Sequence, residues 1–537
     1  MCKHRLGTAL LAFLLLLLSS TLNGFASAYN GRPRLIVVVV IDQFRGDYLE
    51  RGHDEFGPGG FRLFTDKGAW FTNCNYQYAN PRTAPGHATL FTGAYSNGHG
   101  IGNNEWWDAT RKKVVTSVED DTTQIVGVSN QQVGASPHNL LADTIGDEVR
   151  LATDGKSRVF SISLKDRSSV LPAGYSGMAY WTDHKTGAFV TSTYYMKQLP
   201  EWVQAFNNAD HAGKYWNREW KVGEKVISTA KPSQSDGHEN NWFGIVGKTP
   251  FANQYELEFA RELIAQEKLG QGPTTDLLFI SLSANDILIH ELGPNAPESR
   301  AMVQALDHDL ADFFSYLGQQ FGLGNVWLAL SADHGIAPAP SYATKLHIPA
   351  SYLNPKLRDS LNEQLNSELK GAPSNANFVP AMDWPLVFLN RDAFEAAKVS
   401  EEDAERMVAE FFKPYNIRGY HTRVALARHD VAPDEMGRKY LNSLSPRAGW
   451  LVYLESAPFM VQGTGGTNHA MPYSYDTYVP LAFFGIPFRQ GVYRGKCEPV
   501  DMAVTLSNLL GVNSPTAAVG RVLTEALRQE TTPEGAR

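Results

Sequence analysis

The sequence predicts an α/β fold in which a mostly parallel central sheet is flanked by helices. Two observations lead to this prediction. Residues 35–41 form a continuous apolar run, rich in β-branched side chains, as a strand buried on both faces of a parallel sheet requires. A helical pattern over residues 140–151 leads directly into the apolar run 159–164, which is the order of elements in a βαβ unit. The 537 residues, 43% hydrophobic and 19% charged, have the composition of an ordinary globular protein.

The remaining predicted elements continue this alternation. Further strands are predicted at 276–282, 326–330 and 478–484. Helices are predicted at 61–67, 255–268, 298–321, 401–412, 500–510 and 516–528, and a glycine- and asparagine-rich loop at 96–107. Two segments lack a clear period. We interpret residues 174–250 as a loop-rich cap insertion and residues 345–459 as a second, smaller insertion into a catalytic domain that spans 29–537.

The first 28 residues differ from the rest of the chain. Basic residues 3–5 precede an apolar run at 9–18 and the small residues Ala26-Ser27-Ala28, which predicts a signal peptide cleaved after Ala28. The apolar run is shorter than the roughly 20 residues that a membrane span needs. We therefore expect an exported protein, periplasmic or secreted, without stable membrane insertion. Cys74 and Cys497 remain after cleavage; a disulfide between them is compatible with that compartment but is not indicated by the sequence.

The net negative charge of the chain bears on which kinds of partner it can bind. A net charge of −8 and a pI near 6.0 argue against a protein that binds nucleic acid or acidic membranes in general. An anionic substrate must therefore meet positive charge that is concentrated locally.

Residues that ligate metals follow several of the predicted strands. Asp42 follows the strand 35–41, Asp286 follows 276–282 and has His290 four positions later, and Asp333-His334 follow 326–330. Another histidine, His469, lies on the glycine-rich stretch 463–468. The carboxyl ends of parallel strands lie on one side of a sheet, so these side chains are expected to meet in one crevice. Carboxylate and imidazole ligands with open positions suit zinc, and two such ions would clamp both oxygens of an in-line displacement.

A candidate nucleophile and candidate phosphate ligands complete the pattern. Thr83 lies where the loop containing Pro81 gives way to a short helical run, so its hydroxyl would face the free N–H groups of a helix start. The same threonine could also be a purely structural helix cap. Lys165 and Arg167 offer two cations after the strand 159–164, and Asn104 offers an amide donor on a loop close in sequence to Thr83.

Taken together, these motifs resemble the alkaline phosphatase superfamily. They are N-x-x-T-x-P-G-H at 80–87, G-N-N-x-W at 102–106, L-K-D-R-S-S-V-L-P-A-G at 164–174, S-A-N-D-x-x-x-H at 283–290, S-A-D-H-G at 331–335, and the segment 463–473. They stand in the expected order and cover nearly the whole chain after the signal peptide. In particular, the chain resembles the exported bacterial alkaline phosphatases with a threonine nucleophile, the phosphate-irrepressible type.

The resemblance implies a role for each of these residues. Thr83 would be the nucleophile that becomes phosphothreonine. One zinc ion would be held by Asp286, His290 and His469, and the other by Asp42, Asp333 and His334 together with Thr83. The phosphoryl oxygens would be held by Asn104, Lys165 and Arg167. Because the diesterase relatives lack the Lys-x-Arg element, small-molecule phosphate monoesters are the expected substrates.

Two other functions are weighed against a zinc-dependent phosphomonoesterase. A phosphodiesterase or nucleotide pyrophosphatase of the same superfamily would share the zinc site and the threonine. A catalytically silent exported binding module would keep the scaffold without the chemistry, but all six ligand positions and Thr83 are intact. A sulfatase is less compatible with the sequence, because Cys74 is followed by Asn-Tyr-Gln-Tyr and not by a Pro-x-Arg pattern.

Overall fold

The structure is a computed structural model that describes residues 31–229 and 241–528. The predicted signal peptide, residues 1–28, lies outside the described residues. The strands are β1 Leu35–Ile41, β2 Ala69–Asn75, β3 Glu105–Asp108, β4 Lys113–Thr116, β5 Glu119–Val126, β6 Val133–Ala135, β7 Val159–Ser163, β8 Met178–Thr182, β9 Phe189–Ser192, β10 Glu219–Val222, β11 Lys225–Thr229, β12 Asp276–Leu282, β13 Val326–Ser331, β14 Ser351–Leu353, β15 Ala381–Asp383, β16 Leu386–Phe388, β17 Ile417–Thr422, β18 Leu451–Ser456, β19 Met460–Gln462, β20 Tyr478–Phe484 and β21 Gly491–Tyr493.

The strands alternate with helices of four to 25 residues. The α-helices are Tyr48–Arg51, Phe61–Lys67, Thr83–Thr92, Ser96–His99, Ile145–Ala152, Asp166–Ala173, Glu201–Asn208, Trp242–Ile245, Pro250–Gln266, Ala284–Leu292, Pro297–Phe321, Pro340–Lys345, Leu357–Glu368, Arg391–Ala396, Glu401–Phe412, Arg423–Ala427, Glu435–Ser443, Ser474–Thr477 and Asp501–Leu510. Short 3-10 helices lie at His53–Glu55, Gly213–Tyr215, Leu323–Asn325, Lys413–Tyr415 and Thr524–Ala526.

One large sheet organises the molecule and confirms the predicted fold class. Its strands lie in the order β21-β2-β20-β13-β1-β12-β7-β8-β9-β5-β6. The central strands β13, β1, β12, β7 and β8 are parallel to one another. On one flank β20 runs antiparallel to β13, and on the other β9 runs antiparallel to β8. The core includes β1, whose seven residues are all buried, as a strand covered on both faces requires.

The insertions have more regular structure than the sequence indicates. Inside the segment 174–250, β8 and β9 extend the central sheet itself, so this part is not only a loop-rich cover over the sheet. The segment 345–459 contains the four-stranded sheet β15-β16-β18-β17, which has a hydrophobic core of its own. Within the predicted loop 96–107 lie the short helix Ser96–His99 and strand β3.

The predicted helix at 516–528 is wrong. Only the 3-10 turn Thr524–Ala526 forms there, because backbone N–H groups of this segment donate to partners elsewhere in the molecule. Val519 N donates to the carbonyl of Gly93, and Leu523 N donates to Oγ1 of Thr505. Helical i to i−4 bonds would need those same donors.

The helix predicted at 140–151 begins later than expected, at Ile145. Thr144 caps it, accepting a hydrogen bond from Asp147 N while the Asp147 carboxylate accepts one from Thr144 N. This reciprocal cap fixes the first turn and leaves Leu141, predicted to lie on the buried face, 40% exposed.

Cys74 and Cys497 lie opposite each other across a single β-bridge between two segments, and both are buried free thiols. Among the described residues, no helix is long and apolar enough to cross a membrane.

Candidate active site

The site lies at the carboxyl ends of four neighbouring parallel strands. Across the sheet the order is β13, β1, β12 and β7. These strands lead respectively to Asp333-His334, to Asp42, to the helix that carries Asp286, and to Lys165. Adjacent strands are about 4.8 Å apart. The parallel register therefore brings together groups that are far apart in sequence, such as Gln43 N and Asp333 Oδ1, which are hydrogen-bonded across a separation of 290 residues.

Two groups of side chains have the geometry of metal sites. In the first, Asp42, Asp333 and His334 offer ligand atoms that all lie within 4.8 Å of one another, and in the second, Asp286, His334 and His469 do the same. His334 thus belongs to both groups. His290, which the resemblance places with Asp286 and His469, lies beside the second group, with Nε2 at 3.1 Å from Asp286 Oδ1. All six predicted ligand side chains are therefore brought into one cluster.

Backbone carbonyls orient the three histidines of this cluster. Nδ1 of His290 lies 3.0 Å from the carbonyl oxygen of Thr467, Nδ1 of His334 lies 2.9 Å from that of Gly335, and Nδ1 of His469 lies 2.9 Å from that of Pro81. A carbonyl can only accept a hydrogen bond, so each Nδ1 carries a proton, which leaves Nε2 as the nitrogen that a metal would bind. This is the arrangement by which proteins present imidazole to a metal.

Three buried atoms of the first group have no hydrogen-bond partner among the described residues. They are Asp42 Oδ1, Asp333 Oδ2 and His334 Nε2. Nε2 of His334 lies 3.5 Å from Asp42 Oδ1 and 3.6 Å from Asp333 Oδ2. Leaving one buried polar atom unsatisfied is costly, and three acceptors that converge are compatible with a bound cation. The residues present thus fit a divalent metal.

The electrostatics of the cluster agree with this fit. Burial lowers the pKa of His334 to about 4 and lowers the pKa of His469 well below its usual range, so both rings are neutral near pH 7. Neutral imidazole is the form that binds metal. Burial, followed by the nearby charge of Asp42, raises the pKa of Asp333 well above its usual value. A cation placed between the two carboxylates would offset that repulsion.

Lys165 lies between the two groups. Its Nζ is 2.7 Å from Asp42 Oδ2 and 2.5 Å from Asp286 Oδ2, and the residue is 3% exposed. Burial alone would lower the pKa of Lys165, but the carboxylates of Asp286 and Asp42 raise it above its usual value. Lys165 therefore keeps its positive charge at the centre of the site.

Thr83 is the first residue of the buried helix Thr83–Thr92 and is 1% exposed. Two contacts fix the position of this helix start against the cluster. The carbonyl of Pro81, two residues earlier, accepts the His469 hydrogen bond. Gly86, three residues later, packs so closely on Asp333 that a Cβ atom there would lie 2.2 Å from the Asp333 carbonyl oxygen. The helix N-terminus is thereby held beside both metal-ligand groups, where its dipole favours an anion.

Asn104 and Arg167 differ in how firmly they are held. Asn104 Oδ1 accepts a hydrogen bond of 2.8 Å from Ala84 N, which leaves its Nδ2 to donate to another group. Arg167 lies in the first turn of the helix Asp166–Ala173, and its buried Nε has no partner in the described part of the chain. Among the described residues, its guanidinium pairs only with Asp166, at 3.8 Å.

Two residues of the site had no role in the sequence analysis. Gln43 adopts a left-handed backbone with φ of 62° directly after Asp42, and its N donates to Asp333 Oδ1 while its Nε2 donates to Asp286 Oδ1. His87 links the carbonyl of Thr83 to Oγ of Ser281. Gln43 directly follows a predicted strand, and His87 lies inside the motif that contains Thr83. These two positions in the sequence could have indicated that both residues belong to the site.

The comparisons with known proteins agree with this site. The family model for type I phosphodiesterase / nucleotide pyrophosphatase matches residues 36–468, a range that includes all of the candidate residues except His469. The chain belongs to this family. Because the phosphodiesterase / nucleotide pyrophosphatase family is part of the alkaline phosphatase superfamily, the predicted resemblance is confirmed.

Relatives within the family are similar over nearly their whole length. The chain is 33% identical to the alkaline phosphatase PhoV of Synechococcus elongatus, over 93% of each chain. It is 32% identical to the alkaline phosphatase PafA of Elizabethkingia meningoseptica, over 92% of this chain and 95% of PafA. A third relative, from Myroides odoratus, is also 32% identical and is named a calcium-transporting ATPase. The crystal structure of wild-type PafA covers 93% of this chain and 100% of its own, with a TM-score of 0.84. The prediction of an enzyme of the alkaline phosphatase type is thereby confirmed.

Proposed function

We propose that this enzyme hydrolyses phosphate monoesters through a phosphothreonine at Thr83, with two zinc ions bound in the cluster. The observation that carries the proposal is the start of the helix Thr83–Thr92, held against two groups of oriented metal ligands. PhoV and PafA, whose similarity extends over nearly the whole chain, are named alkaline phosphatases, which supports the same activity.

The roles of the residues follow from their contacts. One ion would be held by Asp42, Asp333 and His334, and the other by Asp286 and His469 with His290 beside them. Zinc at these positions would supply Lewis acidity, which makes a threonine hydroxyl nucleophilic and stabilises a departing oxygen. His334 Nε2 lies near both ligand groups and, with its single lone pair, would bind the ion held by Asp42 and Asp333.

Residues of the chain itself would attack the phosphorus and bind the non-bridging oxygens of the phosphoryl group. Thr83 Oγ1 forms a bond to phosphorus while the bond from phosphorus to the alcohol oxygen breaks, and the alcohol leaves. Lys165, the amide Nδ2 of Asn104 and Arg167 donate to the non-bridging oxygens, whose charge must be offset as the displacement proceeds. Water then cleaves the phosphothreonine, restores the Thr83 hydroxyl and releases inorganic phosphate.

A substrate panel tests this proposal. Purified enzyme is assayed with p-nitrophenyl phosphate, bis-p-nitrophenyl phosphate and ATP, each before and after chelation and again after zinc is restored. We expect the monoester to have the highest kcat/KM, and we expect chelation to remove activity that zinc then restores. Faster cleavage of the diester would make the protein a phosphodiesterase. Activity that survives complete metal removal would overturn the role of the cluster.

Metal content provides a second prediction. His334→Ala removes a proposed ligand of one ion, and His290→Ala removes a proposed ligand of the other. We therefore expect each variant to bind one of the two ions at least about tenfold more weakly than the parent, since even the outer partners of metal ligands are worth 10–100-fold. Metal per chain, measured by mass spectrometry after dialysis against graded zinc, checks this. Parent-level metal content in both variants would contradict these ligand assignments.

Export is part of the proposal and rests on the leader pattern at residues 1–28. An N-terminus at residue 29 in protein recovered outside the cytoplasm would support it. Full-length protein confined to the cytoplasm would contradict it.

A further inference from the structure

A cavity of about 470 Å³ lies outside the metal cluster. One wall comes from the hairpin of β3 and β4, and the opposite wall comes from the four-stranded sheet, chiefly β16 and the start of β18. Its volume lies within the usual range for small-molecule sites, about 300–1,000 Å³. None of the six metal-ligand residues lines it.

In the described part of the chain, five aromatic side chains line the cavity. The hairpin contributes Trp106 and Trp107, the opposite wall contributes Phe388 and Tyr453, and Trp450 lies beside them. Both hairpin tryptophans and Trp450 are partly exposed, whereas Phe388 and Tyr453 are buried. Several flat apolar faces around one space favour a planar ring, which gains both burial and ring contacts.

Arginines supply positive charge at the edge of this space. Arg423 is neutralised by Glu401, with Nε at 2.5 Å from Oε1, and Arg391 lies 3.6 Å from Asp392. Arg447 differs, because its Nη1 donates only to neutral oxygens, the carbonyl of His138 at 3.0 Å and Oδ1 of Asn139 at 3.3 Å. Among the described residues, no carboxylate forms an ion pair with Arg447. Its charge is therefore available to an anion, and guanidinium binds carboxylates and oxyanions in planar geometry.

We propose that this cavity is a binding site for a small aromatic anion, with the ring between the tryptophans and the anionic group on Arg447. The ligand is either the organic part of a phosphate ester or a separate aromatic anion. The assignment of the ligand as part of a phosphate ester rests on the proposed function, whereas binding of an aromatic anion does not.

The cavity adjoins the catalytic loop through Asn103. This residue lines the cavity and precedes Asn104, and its Nδ2 lies 3.0 Å from Asp383 Oδ2. Asp383 in turn pairs with Arg82, at 2.9 Å, directly before Thr83. A ligand in the cavity therefore contacts a loop whose next residue, Asn104, holds the backbone N–H of Ala84 directly after Thr83. Binding and turnover are consequently expected to influence each other.

Binding is tested with 2-naphthalenesulfonate, which no phosphatase hydrolyses as an ester. Quenching of tryptophan fluorescence and titration calorimetry on the metal-loaded enzyme should report saturable binding at one site per chain. Methanesulfonate, which lacks the ring, and 2-naphthol, which lacks the anion, should each bind at least about tenfold more weakly, a difference of about 1.4 kcal/mol.

Variants locate the site. Arg447→Gln and Trp450→Leu should each weaken binding of 2-naphthalenesulfonate by at least about tenfold, while Arg447→Lys should retain part of it. Arg489→Gln is the matched control, because Arg489 is also exposed and also lies near an aromatic ring, that of Tyr493, and neither residue lines this cavity. Absent saturable binding, equal binding of methanesulfonate, or affinity unchanged in both cavity variants would each overturn the proposal.

Turnover distinguishes the two sources of ligand. If the ligand is the substrate's own organic part, Arg447→Gln lowers kcat/KM for 2-naphthyl phosphate but not for methyl phosphate. If it is a separate molecule, 2-naphthalenesulfonate changes kcat for methyl phosphate in the parent enzyme and not in Arg447→Gln. Saturable binding with neither effect would overturn the coupling to the catalytic loop. Saturable binding in a protein that hydrolyses no phosphate monoester would overturn the proposed function alone.

Discussion

Replacing Thr83 with alanine is expected to lower hydrolysis of phosphate monoesters by at least about a thousand-fold, because the variant has no hydroxyl to attack phosphorus. The aspartate and histidine ligands belong to other segments and the carbonyl that orients His469 is unchanged, so bound metal should remain at the parent level even though Thr83 itself is lost as a ligand. The checks are kcat/KM for p-nitrophenyl phosphate, metal per chain, and labelled phosphate retained on acid-quenched protein.

Two further variants sharpen that experiment. Thr83→Ser keeps a hydroxyl at the helix start and should keep partial activity. Thr92→Ala removes a buried hydroxyl from the last turn of the same helix, where Oγ1 donates to the carbonyl of Ala88, and should leave kcat/KM within a few-fold of the parent. Labelled phosphate trapped on the Thr83→Ala protein would show that another residue is the nucleophile.

Removing the two cations of the Lys-x-Arg element is expected to change the preference between esters. A monoester presents three non-bridging oxygens to the site and a diester presents two, so the monoester depends more on donors at these positions. In Lys165→Ala/Arg167→Ala, kcat/KM for p-nitrophenyl phosphate should fall roughly 10²–10³-fold, the scale of losing a donor to developing charge. For bis-p-nitrophenyl phosphate we expect a clearly smaller fall.

The position of Lys165 requires a specific control. Without its ammonium, Asp42 and Asp286 lose a buried partner, so the variant must be assayed with saturating zinc and with metal content measured. Lys439→Ala is a matched comparison, since Lys439 is 7% exposed and its ammonium contacts the carbonyl of Pro472 and the carboxylate of Glu435, neither of which is a proposed metal ligand. An equal loss for both esters in the double variant, at full metal content, would remove the basis for expecting monoesters.

The sequence predicted the central strands, and the gathering of candidate ligands at their ends, because both signals are local. Asp42, Asp286 and the pair Asp333-His334 each follow an apolar run of strand length, and in a parallel sheet the positions after the strands share one location in space. The placement of His334 in both ligand groups was not accessible in this way. It depends on the lateral order of β13, β1 and β12, which no single segment specifies.

Other features depend on contacts between distant segments. The interaction of Gln43 with both Asp333 and Asp286 requires a left-handed backbone that its sequence does not favour. The segment 516–528 is rich in residues that tolerate a helix, yet its backbone donors are used by Gly93 and Thr505. The aromatic cavity arises only when the β3–β4 hairpin and the four-stranded sheet face each other, so its tryptophans, separated by more than 300 residues, form no motif.

The segment 463–469 connects parts of the molecule that share no strand. Thr467 exchanges two hydrogen bonds with His290, and its Oγ1 donates to the carbonyl of Ala337, while His469 reaches Pro81. If His469 binds a cation as proposed, docking of this segment and retention of that cation are linked equilibria, each of which would stabilise the other. Local opening of the segment would then release the ion without unfolding the sheet, and the lifetime of the bound ion would depend on that opening and not on global stability.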